Sequence, residues 1–311
     1  MLQVYLLLLA GLLLLFISGK YLVDASIRIS VLLKIPRMVI GLTVVAVGTS
    51  APELLVSMQA AFSGYPEIAI GNVVGSNISN VLLVLAITAV IFPIPVPSSS
   101  VRRDWPIMMF VSALFFVFAL NGWLSRSEAL IFIGILGLYV VYSVYQAKKD
   151  KETSPVVVVT PGMKGWTAAL IFIVSCGGLA LGADLLVGNA ALIAEDLGIS
   201  QRVISISMVA VGTSIPELAT SVIAALKKET DISVGNIIGS NIMNVLLVLG
   251  VTGMIHPVQV DQAIARFDIP WMLGTFLFLL LVMLPAVRSR ISRREGIIMI
   301  LIYLLYIYLI F

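Results

Sequence analysis

Two hexapeptides carry the residues most able to do chemistry: Gly48-Thr49-Ser50-Ala51-Pro52-Glu53 and Gly212-Thr213-Ser214-Ile215-Pro216-Glu217. Glu53 is the only charge in the apolar stretch 38–66, and Glu217 the only charge in 203–226. Each stretch is long enough to cross a bilayer, which takes about 20 apolar residues. A carboxylate at mid-membrane costs about 2.5–3.5 kcal/mol even on lenient insertion scales. One such glutamate could be a satisfied structural group. Two in matching frames point to a binding site. Proline inside a helix removes a backbone donor, so Pro52 should free carbonyls around Gly48 and Thr49, close to Ala46. Pro216 should do the same around Gly212 and Thr213, close to Ala210. The hydroxyls of Thr49, Ser50, Thr213 and Ser214 add oxygens beside them, and helical spacing places Thr49, Ser50 and Glu53 on one face.

A second pair of motifs reads GNVVGSNISNVLLVL (71–85) and GNIIGSNIMNVLLVL (235–249). Ser76 and Asn80 share a helix face, as do Ser240 and Asn244. Gly71/Gly75 and Gly235/Gly239 have the small-xxx-small spacing that lets helices approach closely. Asn72, Asn77, Asn236 and Asn241 are expected mostly to hold helices together. The converging donors are all oxygen, with no thiolate or imidazole in either motif. That set suits hard cations; Ca²⁺ takes 6–8 oxygen ligands, whereas softer metals favour Cys and His. His256, the single histidine, reads as interfacial, and Cys176, the single cysteine, as a small core residue.

The elements that position these groups follow from composition. The chain has 311 residues, 60% of them hydrophobic and 11% charged, with a mean hydropathy of +1.12. Soluble domains carry about 25% charged residues, so the soluble, disordered and disulfide-stapled classes are excluded. The reading is an all-α polytopic membrane protein with ten transmembrane helices. They are placed near 2–30, 38–63, 68–92, 105–122, 128–147, 164–194, 201–226, 231–256, 269–287 and 294–311. The N-terminal stretch has no basic n-region or cleavage site and reads as a retained helix. With the N-terminus outside, fifteen Lys and Arg fall in cytoplasmic loops and three in outer ones. That asymmetry fits the positive-inside rule. Both termini are then extracellular and the central linker cytoplasmic.

A shift of 164 residues superposes both motifs, with twelve of fifteen identities in the second. It also matches Pro93 to Pro257 and Asp104 to Asp268. Near the last helix the register becomes 167, laying Ser125 and Glu128 on Ser292 and Glu295. The expected organisation is a first five-helix repeat (1–147), a short linker (148–163) and a second five-helix repeat (164–311). An odd number of spans per half makes the repeats inverted in topology, with broken helices at the ion site, as in many secondary transporters.

The motifs GTSAPE with GSNISN, and GTSIPE with GSNIMN, resemble the two alpha repeats of the calcium/cation antiporter superfamily, on its sodium/calcium exchanger side. The resemblance covers the whole chain and is closest to prokaryotic members. It implies an antiporter exchanging Ca²⁺ for Na⁺ by alternating access, working as a monomer in the plasma membrane. It further implies Ca²⁺ ligands at Glu53 and Glu217 with backbone oxygens of Thr49 and Thr213. Flanking Na⁺ sites would fall at Ala46, Ser50, Ser76, Ala210, Ser214 and Ser240, and Asn80 and Asn244 fill the remaining pair. Asn244 departs from one family pattern that has Asp there, which puts a three-to-one sodium stoichiometry in doubt. Proton-coupled or K⁺-dependent antiport through the same glutamates is the alternative, and a cation channel a remoter one. No zinc motif, P-loop or Ser/His pair supports an enzyme. No cofactor is implied, and nothing points to nucleic acid. The first and sixth spans, long and Gly-containing, are expected to slide on a rigid core of the other eight.

Overall fold

A computed structural model describes residues 2–63, 67–149, 164–197, 212–284 and 290–310. The described chain is mostly helical: α1 (Leu2–Leu33), α2 (Arg37–Thr49), α3 (Ala51–Phe62), α4 (Ile68–Ile91), α5 (Trp105–Ala119), α6 (Arg126–Lys149), α7 (Gly165–Asp196), α8 (Ile215–Leu226), α9 (Thr230–Ile255), α10 (Ile264–Met283) and α11 (Arg293–Ile310). Uninterrupted apolar runs take this form because only a helix satisfies each backbone group within its own segment in lipid. Among the described residues six helices are long and apolar enough to cross a bilayer, or seven when the bent pair α2–α3 is taken as one span. Of the expected seventh span, only the part from Gly212 onward falls among the described residues, as does little of the linker.

Local chemistry sets the helix ends. α6 and α11 open on reciprocal capping boxes. The Ser125 amide donates to the Glu128 carboxylate at 2.7 Å, and the Glu128 amide to Ser125 Oγ at 3.3 Å. Ser292 and Glu295 repeat this at 2.5 and 3.4 Å, so the sequence match at a shift of 167 is a shared helix start. The expectation of an all-helical chain omitted four two-residue strands. β1 (Ile94–Pro95) pairs antiparallel with β4 (Arg290–Ile291), and β2 (Trp123–Leu124) with β3 (Val258–Gln259). Each pair joins the two halves. The shifts of 164 and 167 convert one pair into the other, Ile94↔Ile291 becoming Val258↔Leu124.

Packing separates a centre from a periphery. In their most apolar stretches α4 and α9 are 72% and 83% buried, against 22% for α1, α6 and α7. Val73, Ile78, Ile237 and Ile242 sit in the large core around α4 and α9. α1 and α7 lie along one another through Leu15, Leu22, Leu179 and Ala183 in a smaller cluster. α2 crosses α9 with backbone against backbone. A Cβ added to Gly239 would stand 2.5 Å from the Leu42 carbonyl oxygen, and one at Gly235 would stand 2.6 Å from that of Met38. The small-xxx-small spacing on α9 is therefore a packing device. Gly71 and Gly75, its counterparts on α4, have no described atom within 4 Å of an added Cβ. At the rim, Arg37 pairs with Glu229, and Lys227 meets Asp24 at 2.5 Å.

Candidate cation-binding site

The α2–α3 helix pair bends by 41°. The break is at Ser50 (φ −82°, ψ 5°), and Ser214 has the same conformation (φ −86°, ψ 1°) before α8. Pro52 and Pro216 stand in the first turn of the following helices, where a missing N–H is tolerated. The break falls on the serine and the proline begins the next helix: before α3 the chain stops, turns on Ser50 and starts again. Ser50 N still donates to the Ala46 carbonyl at 2.9 Å. Glu53 and Glu217 consequently occupy the first turns of α3 and α8. There the partial positive charge of the helix N-terminus favours a carboxylate.

Asn80 and Asn244 also lie at backbone irregularities. Each begins a π-helical turn, Asn80–Leu85 in α4 and Asn244–Leu249 in α9. Such turns are rare and occur often at functional sites. The sequence did not announce them, because π turns have no periodicity of their own over six residues.

The site is assembled across the two halves. Thr49 Oγ1 donates to Asn236 Oδ1 at 2.9 Å, and Thr213 Oγ1 donates to Asn72 Oδ1 at 3.3 Å. Those asparagines are anchored in turn, Asn236 Nδ2 on Ser221 Oγ and Asn72 Nδ2 on Ser57 Oγ, both at 3.1 Å. The Thr49 and Ser240 hydroxyls are 3.3 Å apart, and those of Ser76 and Thr213 3.0 Å. Every one of these bonds maps onto its partner under the shift of 164. Ser57 and Ser221 were missed in the sequence reading. Their signal was there: each follows its glutamate by four residues, and they are themselves 164 apart.

Glu53, Glu217, Thr49, Ser50, Ser214, Ser76, Ser240, Asn80 and Asn244 are all buried. Ala46 is buried in α2 beside them, and Thr213 joins through its hydroxyl. Ala210 lies outside the described residues. Ser50 and Ser240 each donate a long 3.4 Å bond to Glu217 Oε1. Both oxygens of Glu53 lack a hydrogen-bond partner on any other described residue, as do Glu217 Oε2, both amide atoms of Asn80, Ser214 Oγ and Asn244 Oδ1. Buried polar atoms are normally paired, so such a concentration requires an explanation. Ser50, a donor to Glu217, also opens the turn that carries Glu53, so the two carboxyl groups share one buried place where like charges repel. A cation among them would answer both deficits. Among the described residues no cluster of three or more His, Cys, Asp or Glu is present, so a cation here would meet two carboxylates and neutral oxygens. His256 is exposed, with Nδ1 2.8 Å from the Pro257 carbonyl oxygen. Cys176, half-buried on α7, abuts Gly48 beside the break.

The sequence profile of the sodium/calcium exchanger protein family matches residues 3–145 and 167–311. The chain belongs to this family. It is 40% identical over 97% of its length to a putative antiporter CaxA of Alkalimonas amylolytica, of which 97% is covered. It is 34% identical to the sodium/calcium exchanger MaX1 of Methanosarcina acetivorans, covering 99% of this chain and 98% of that one. Among solved structures, the sodium-calcium exchanger NCX_Mj soaked with zero Na⁺ and Ca²⁺ superposes with a TM-score of 0.83 at 30% identity, covering 99% of both chains. This exchanger-family member is thus an integral membrane protein of the cation antiporters, with transporters rather than enzymes as its relatives.

Proposed function

We propose that this protein exchanges Ca²⁺ for Na⁺ across the plasma membrane by alternating access, through one oxygen cage. The cage comprises Glu53, Glu217, Asn80, Asn244, the hydroxyls of Ser50, Ser76, Ser214 and Ser240, and oxygens of Thr49, Thr213, Ala46 and Ala210. The single observation that carries this reading is the buried pair Glu53 and Glu217, with three of four carboxylate oxygens unpartnered among the described residues. One hydroxyl from each half, Ser50 and Ser240, reaches Glu217. Two like charges in a small dry site repel strongly. One Ca²⁺ or a set of Na⁺ neutralises them, and the two cannot share the cage. Occupancy by one therefore expels the other, which is the thermodynamic core of exchange. The hydroxyl protons of Thr49 and Thr213 are spent on Asn236 and Asn72, leaving oxygen lone pairs for a cation.

The architecture that serves this function is ten spans in two inverted halves, 1–147 and 164–311, with both termini outside and residues 148–163 cytoplasmic. The cross-half hydrogen bonds of Thr49 and Thr213 and the strand pairs, each with a counterpart 164 or 167 residues away, support a two-fold relation. Alternating access needs a part that moves, and α1 and α7, packed mainly on each other, are the elements least tied to the core. Named relatives include a sodium/calcium exchanger, which favours Na⁺ as counter-ion over H⁺.

Purified protein in liposomes, with Na⁺, K⁺ and pH gradients imposed one at a time, tests the assignment. An outward Na⁺ gradient at fixed pH should drive Ca²⁺ uptake well above that of protein-free liposomes. Uptake driven only by a pH gradient, or only when K⁺ is present, would replace Na⁺ with that ion as the coupling species.

A further inference from the structure

Residue 244 is held as a hydrogen-bond donor. Asn244 Nδ2 donates to Asn77 Oδ1 at 3.1 Å. Asn77 is fixed in that orientation, because its own amide nitrogen donates to the Asn241 carbonyl at 3.3 Å and approaches Met272 Sδ at 3.6 Å. Both are acceptors, so turning the Asn77 amide over would set oxygen against oxygen and sulfur. The carbonyl that Asn77 presents must therefore meet a donor. An amide supplies one, whereas an ionised carboxylate has only acceptors. Asn244 Oδ1 is buried with no partner among the described residues, which suits it to act as a neutral ligand.

The cage charge follows. Glu53 and Glu217 supply two negative charges, and the two remaining side chains at their level, Asn80 and Asn244, are neutral. No third acid and no histidine joins them among the described residues. One Ca²⁺ brings the total to zero, and so do two Na⁺. A third Na⁺ would leave an uncompensated positive charge buried in the membrane, which is strongly unfavourable. An electrically neutral cage crosses the field without doing work on it, because the transmembrane potential acts only on net charge.

We infer that Asn77 orients the neutral Asn244 amide as a ligand, and that a cage with only two fixed negative charges sets the exchange at one Ca²⁺ for two Na⁺, with no net charge moved. This rests on the Na⁺/Ca²⁺ exchange reading above. Asn77 is a positioning residue, acting through Asn244.

The test counts charge. The full chain is reconstituted in Na⁺-loaded liposomes. Radiolabelled Ca²⁺ entering and Na⁺ leaving are measured together, and current is recorded from the same liposomes on a solid-supported membrane. The expected result is two Na⁺ per Ca²⁺ and no current above protein-free liposomes. Three Na⁺ per Ca²⁺ with a current overturns the inference and leaves the exchange reading intact. Absence of any Na⁺-driven Ca²⁺ uptake overturns the exchange reading, and this inference with it. Asn244→Asp is made alone and together with Asn77→Ser, whose hydroxyl can donate to a carboxylate. The double variant should exchange three for one and carry a current, and the single variant should do so more weakly. A double variant that still exchanges two for one without current removes the role given to residues 77 and 244. A variant that fails to fold leaves the decision with the wild-type count.

Discussion

Replacing either Glu53 or Glu217 with glutamine is expected to lower Na⁺-driven Ca²⁺ flux to that of protein-free liposomes. Glutamine keeps the size and much of the hydrogen-bonding capacity of glutamate but removes its charge. Both glutamates are fully buried, so water screens the loss poorly, and Ca²⁺ would carry a net positive charge into the membrane core. Removing one member of a buried charge pair typically costs about 2–5 kcal/mol. At about 1.4 kcal/mol per tenfold, Ca²⁺ affinity should fall on the order of thirtyfold to several thousandfold. The two substitutions should have similar effects, because both glutamates occupy the first turn of a helix that restarts after a serine. Their effect on the ion-free protein should be opposite in sign. Each substitution removes the repulsion between two buried acids, so thermal stability without Na⁺ or Ca²⁺ should be unchanged or higher. Flux assays and melting curves in ion-free detergent solution read the two effects separately. Wild-type flux in either variant would remove that residue from the site.

Gly239→Ala is expected to damage folding and binding together, although it adds one methyl group. That methyl would stand 2.5 Å from the Leu42 carbonyl oxygen, 2.7 Å from Leu42 Cα and 2.8 Å from Ala46 Cβ. Two of these atoms are backbone and cannot rotate aside, so α2 and α9 must separate. Overpacking a close-fitted interior costs about 1–3 kcal/mol, and a backbone obstruction belongs at the upper end. Separation would also draw Thr49 on α2 away from Asn236 and Ser240 on α9, opening contacts of 2.9 and 3.3 Å. The melting temperature should fall by several degrees and Ca²⁺ binding should weaken. Gly137→Ala is the contrast. Gly137 is exposed on α6 with no described atom within 4 Å of the added group. Alanine gains up to about 1 kcal/mol over glycine in a helix, so that variant should be as stable as the wild type or slightly more so. Equal melting behaviour of the two variants would show that the α2–α9 contact is looser than described.

Much of this was legible in the sequence because it is local or repeated. The scarcity of charge indicated a lipid environment, and the two glutamates stood out against it. The repeated hexapeptides and the Ser/Asn pairs supplied the donor types. The family assignment rests on the same motifs and is matched by the profile over nearly the whole chain. What escaped was whatever depends on partners far away in the chain. Ser57 and Ser221 looked like ordinary helical serines until Asn72 and Asn236 were found resting on them. Asn77 read as a structural amide, correctly in kind, but its hold on Asn244 spans 167 residues and no periodicity encodes it. The turn on Ser50 was not announced, because Pro52 can begin a helix as readily as interrupt one. The π turns at Asn80 and Asn244 carried no signal, since a π turn arises from how a helix is packed and not from a distinctive residue pattern.

The central claim is that Ca²⁺ and Na⁺ compete for one cage built on Glu53 and Glu217. Equilibrium binding of radiolabelled Ca²⁺ to the purified protein, titrated with Na⁺, tests it most directly. Bound Ca²⁺ should fall to zero at saturating Na⁺, with an apparent Ca²⁺ dissociation constant that rises as the square of Na⁺ concentration. Ca²⁺ that remains bound at saturating Na⁺, or that Na⁺ leaves untouched, would contradict a shared cage.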